Sequence, residues 1–71
     1  MDIQRQVGLN VRKLREKRGW SQEELAYESH LHRTYISGVE RGVRNPTVGV
    51  LQEIAKALDV TAARLLDAVK S

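Results

Sequence analysis

Apolar residues recur along this chain at helical spacing. Ile3, Val7, Val11 and Leu14 follow one another at intervals of four, four and three, separated mostly by Gln, Arg, Lys and Glu, which gives a helix one apolar face and one charged face. Gly19 ends that helix. Ser21 followed three residues later by Glu24 forms a capping box, in which hydroxyl and carboxylate each satisfy a backbone donor left free at a helix start, so a second helix begins at about Gln22. It runs only to about Ser29, because the next stripe, Ile36 and Val39, is out of phase with Leu25 and Ala26 and belongs to a separate helix. Pro46 sets an extended approach and Thr47 caps a fourth helix carrying Leu51, Ile54, Ala55 and Leu58. Thr61 is a further N-cap, and Leu65, Leu66 and Val69 give a fifth helix, at about 61–70, its stripe. The pattern holds no alternating strand and no repeat. It predicts an all-α fold, five short helices packed as one compact domain over residues 1–71.

Composition narrows what such a bundle can be. A chain of 71 residues buries little apolar surface, so its own core is marginally stabilising and a partner subunit would help. With no Cys and only 2 His, no disulfide or zinc site is expected, and no cofactor. The 12 Lys and Arg exceed the 9 Asp and Glu for a formal charge of +3, which favours encounter with polyanions. Apolar runs are too short for a membrane span and the start, Met1-Asp2-Ile3-Gln4-Arg5, has no signal-peptide core, so a cytoplasmic protein is expected. Ser29, His30 and His32 are neighbours in sequence, but a small bundle offers little of the concavity that a catalytic site or a small-molecule pocket needs. An enzyme is not expected.

Two short helices joined by a tight turn, the second with small polar and basic residues outward, describe a helix-turn-helix unit, here about 22–41. With Ile36 facing the core and about 100° between successive residues, Val39 and Glu40 stay near Ile36 while Thr34, Ser37, Gly38 and Arg41 point away. Arg33 lies in the first turn, where a guanidinium reaches guanine O6 and N7 in the commonest specific major-groove contact. It is the first candidate for base reading.

The stretch SQEELAYESHLHRTYISGVERGVRNPTVGVLQEIAKALDV resembles the Cro and phage-repressor (XRE-like) type of helix-turn-helix domain, over roughly residues 7–66, and HRTYISGVERGVRNP is similar to the controller proteins of restriction–modification systems. The resemblance implies a lambda-repressor-like bundle that binds double-stranded operator DNA as a homodimer and regulates transcription. It assigns base-facing positions to Arg33, Thr34, Ser37 and Gly38, the last through its backbone alone. It assigns phosphate-contacting positions to Gln22, Arg41, Arg44 and Asn45, which position the protein without reading sequence. Ala26 matches the small residue that lets two helices approach. Arg15 and Glu40 match an internal ion pair, to which the helical wheel also points, since it puts the Glu40 carboxylate beside the core, where it needs a partner.

Two residues depart from that pattern. His30 stands where the family most often has Gly with φ > 0, a conformation His tolerates better than most residues. His32 occupies the N-cap of the third helix; it is either an exposed cap or, gaining charge below neutral pH, a further phosphate contact. Tyr35 falls on the flank and either packs or offers its hydroxyl to a phosphate. Arg12, Lys13, Lys17 and Arg18 read as a solvated helix face, with Arg18 alone near the second helix. Trp20 reads as core packing, the apolar half of a staple against Leu25. Leu65, Leu66 and Val69, with Ala62, offer more apolar surface than a terminal helix needs, and form the expected dimer interface. RNA polymerase is a further expected partner. The rival reading is a protein-interaction module, such as an antitoxin or coactivator-like domain; the Arg, Thr, Ser, Gly and Arg of the third helix lack the aromatic anchors such a face would carry.

Overall fold

A computed structural model describes residues 2–68. Its α-helices are α1 (Ile3–Lys17), α2 (Gln22–Ser29), α3 (Arg33–Glu40) and α4 (Val48–Ala57), followed by a 3-10 helix, Ala62–Leu66. There is no strand among the described residues. The starts of α2 and α4 lie at the expected caps: Ser21 Oγ accepts from Glu24 N while the Glu24 carboxylate accepts from Ser21 N, and Thr47 Oγ1 accepts from Val50 N. Asp2 caps α1 in the same way.

The fifth helix is the exception. Thr61 caps as expected, but it opens a five-residue 3-10 helix that turns extended at Asp67, so the fold has four α-helices among the described residues rather than five. The carbonyls of this segment are taken by side chains of α1. Asn10 Nδ2 donates to Leu65 O at 2.9 Å and Asp67 O at 2.8 Å, and Gln6 Nε2 donates to Leu66 O at 2.6 Å. These amides hold the segment against α1. Val69, assigned to the same stripe, lies outside the described residues.

Val7, Val11, Leu25, Ala26, Ile36, Val39, Ile54, Ala55, Leu58 and Leu65 form one core to which every element contributes. α1 crosses α3 so closely that a Cβ on Gly8 would lie 2.6 Å from Glu40 O and closer still to Val39 O. Glycine is therefore required there by backbone contact, and this crossing fixes where α3 emerges.

Candidate nucleic-acid interface

α3 begins at a turn with a fixed shape. His30 closes α2 in the left-handed conformation (φ 59, ψ 35), and Leu31 N donates to Ala26 O at 2.9 Å. Leu31 packs on the core, so the two helices are tied together immediately before α3. His32 is the extended N-cap, and its side chain makes no capping hydrogen bond. Arg33 and Thr34 are exposed in the first turn and Ser37 is half-buried one turn on. Arg41, Arg44 and Asn45 are exposed at the end of α3 and in the loop after it. Arg33, Thr34, Arg41, Arg44 and Asn45 are thus exposed along α3 and its C-terminal loop, with Ile36 and Val39 inward.

Gly38 is a correction. It is buried rather than on the open face, and its carbonyl accepts from Val43 N at 3.0 Å and Arg44 N at 3.2 Å. A Cβ there would collide with Arg44 Cγ. Its wheel angle points outward, but the loop folds back and covers it. Tyr35 is half-buried, with the Arg44 guanidinium 5.5 Å above its ring.

Behind α3 sits the ion pair. Arg15 Nε donates to Glu40 Oε2 at 2.6 Å and Nη2 to Oε1 at 3.0 Å, while Nη1 donates to Trp20 O at 2.7 Å. The hydrogen bond to Glu40 raises the Arg15 pKa above its usual value, against the opposing effect of burial. Gln22 joins the same network, its Nε2 donating to Glu40 Oε1 at 3.1 Å. The side-chain donor assigned to a phosphate is therefore engaged with Glu40, at the first turn of α2.

Arg18 serves the fold: its guanidinium lies 4.5 Å over the Trp20 ring and Nη1 donates to Leu58 O at 3.3 Å. Trp20 packs on the core that contains Leu25. Of the residues assigned to a dimer face, Leu65 is fully buried in the core and cannot serve, whereas Leu66 is 44% exposed. Residues outside the expected set also matter. Gly8 and Asn10 position α3 and the C-terminal segment, and each carried a signal: a glycine inside an amphipathic helix, and an amide on the apolar face between Val7 and Leu14.

The chain belongs to the helix-turn-helix family HTH_3, of the Cro and phage-repressor type, which it matches over residues 11–65. Within that class it is similar to control proteins of restriction–modification systems, as HRTYISGVERGVRNP suggested. Control protein C.BamHI of Bacillus amyloliquefaciens is 51% identical over 61 residues, 84% of this chain and 75% of that protein. The hypothetical transcription factor NHTF from Neisseria superposes with a TM-score of 0.91 at 42% identity, covering 94% of this chain and 77% of that one. The restriction–modification controller protein C.Esp1396I, solved as a tetramer in complex with its natural 35 base-pair operator, gives a TM-score of 0.83 at 42% identity, covering 92% of this chain and 86% of its own.

Proposed function

We propose that this chain is a sequence-specific regulator of transcription that acts as a homodimer, placing two copies of α3 in successive major grooves of a palindromic operator about 34 Å apart. The observation that carries this reading is the exposed Arg33 and Thr34, with Ser37 one turn on, followed by exposed Arg41, Arg44 and Asn45 at the end of α3 and in the next loop. Arg33, Thr34 and Ser37 read base edges; Arg41, Arg44, Asn45, His32 and the start of α2 at Gln22 hold phosphates. A net charge of +3 speeds encounter with the duplex.

One copy cannot span two half-sites, since its longest dimension is 28 Å and it has one α3. Leu66 and Ile3, 44% and 54% exposed, border a hollow of about 60 Å³ lined also by Val7, Pro46 and Leu51, and supply the two-fold contact in place of Leu65. Similarity to C.BamHI and C.Esp1396I supports a controller role, in which the bound dimer blocks or recruits RNA polymerase in the bacterial cytoplasm, at the nucleoid. Selection of bound genomic fragments at a stated salt concentration tests the reading. A palindromic motif with half-sites one helical turn apart is expected; absence of any enriched motif overturns it.

A further inference from the structure

We infer that Gly38 and Tyr35 are positioning residues for Arg44, and that their work is to hold its guanidinium ready at the DNA surface rather than to touch DNA themselves. The inference deepens the proposed function and rests on its placing of α3 and the following loop against DNA.

Three observations converge on the same side chain. The turn after α3 doubles back so that Val43 N and Arg44 N both donate to Gly38 O, which fixes the backbone of Arg44 beside the last turn of the helix. The aliphatic stem of Arg44 then lies in the space that a Cβ on residue 38 would fill, with Cγ in collision range and Nε at 3.4 Å from that position. The guanidinium ends 5.5 Å from the centre of the Tyr35 ring, within the range of a cation–π contact. Residues 35 and 38 are three apart and share one face of α3, so the ring and the bare backbone form a continuous track for one arginine.

An arginine side chain free in solution samples many rotamers, and ordering it on DNA opposes binding. A track that orders it in the unbound protein removes part of that cost. It also explains why glycine stands inside an eight-residue helix, where alanine favours helix formation. Arg44 remains exposed on the track, so the charge is presented rather than sequestered.

The test measures binding of wild type, Gly38→Ala, Arg44→Ala and the double variant to the selected operator duplex and to a scrambled duplex across a salt series. Tyr35→Phe and Tyr35→Leu are measured alongside, with Arg33→Ala as the control for the docking mode. Removing a phosphate contact weakens both duplexes by a similar factor and lowers the slope of log K against log salt by about one. Gly38→Ala is expected to weaken both duplexes several-fold with that decrease in slope, while its melting temperature stays at or above the wild-type value. In the Arg44→Ala background it should change nothing further. Tyr35→Phe should bind as wild type, and Tyr35→Leu should lose part of the slope.

If Gly38→Ala weakens binding equally in the Arg44→Ala background, glycine serves DNA clearance and the inference is overturned. It is also overturned if Arg44→Ala binds as tightly as wild type while Arg33→Ala loses its preference for the operator. If Arg33→Ala retains that preference too, the docking of α3 itself is wrong.

Discussion

Arg15 and Glu40 meet through two hydrogen bonds, Nε to Oε2 at 2.6 Å and Nη2 to Oε1 at 3.0 Å, across the crossing of α1 and α3. Both are buried, and Gln22 from α2 donates to the same carboxylate, so one acidic group ties three helices together. Removing one member leaves a buried charge without its partner. Arg15→Met is expected to lower stability by about 3–5 kcal/mol, measured by urea denaturation. Replacing both residues by apolar ones of similar volume should recover much of the loss.

The same pair sets a pH dependence. The hydrogen bond to Glu40 holds the Arg15 pKa above its ordinary value, so the stabilisation that charge supplies is complete below the ordinary arginine range and is lost only as pH rises through the raised folded value. The stability gap between wild type and the variant with both residues made apolar, which leaves no buried carboxylate to protonate, should therefore stay constant from roughly pH 6 to pH 10. A gap that narrows within that window contradicts the account.

Gly8→Ala should destabilise although alanine favours helix. The added methyl would press on the backbone oxygens of Val39 and Glu40, a strain of about 1–3 kcal/mol, against up to about 1 kcal/mol gained in helix propensity. A denaturation midpoint at or above the wild-type value would show that α1 and α3 can separate without cost.

Asn10→Ala should loosen the C-terminal segment before the rest. Leu65 O and Asp67 O lose their side-chain donor; Leu65 O is left buried and unpaired at about 1–3 kcal/mol, while Asp67 O, on an exposed residue, can turn to water. Limited proteolysis reads this directly. Cleavage after Arg64 is expected to quicken more than cleavage within α2 or α3; a uniform increase would mean that Asn10 acts on global stability alone.

His30→Gly tests the turn between α2 and α3. His30 has φ 59, where glycine carries no side-chain strain, so the exchange should stabilise by up to about 1 kcal/mol after glycine's larger backbone entropy is offset. His30→Val, a β-branched residue in the same conformation, should lower the melting temperature. The opposite order of the two variants would place the strain elsewhere.

These residues show what was legible in the sequence. The caps Ser21 and Thr47, the left-handed turn at His30 and the partnership of Arg15 with Glu40 each rest on local spacing or on one pattern shared with a known family, and all are in the structure. Features that could not be read locally came from contacts distant in sequence. Asn10 reaches Leu65 and Asp67 across the fold and holds the last segment as a 3-10 turn, although Leu65 and Leu66 fit a helical stripe. Leu65 consequently faces the core rather than a partner. Gly38 has an outward wheel angle, yet the loop that returns over it buries it beneath Arg44. A helical wheel describes one helix and is blind to any segment that folds back on it.

In the proposed function, α3 reads DNA through Arg33. The most direct test compares Arg33→Ala with wild type on the selected operator and on a scrambled duplex of equal length at fixed salt. A bidentate contact to one base pair contributes about 1–3 kcal/mol of discrimination, so the variant should lose roughly 5- to 150-fold on the operator and little on the scrambled duplex. Equal loss on both duplexes would make Arg33 a phosphate contact, and no loss on either would remove α3 from the groove.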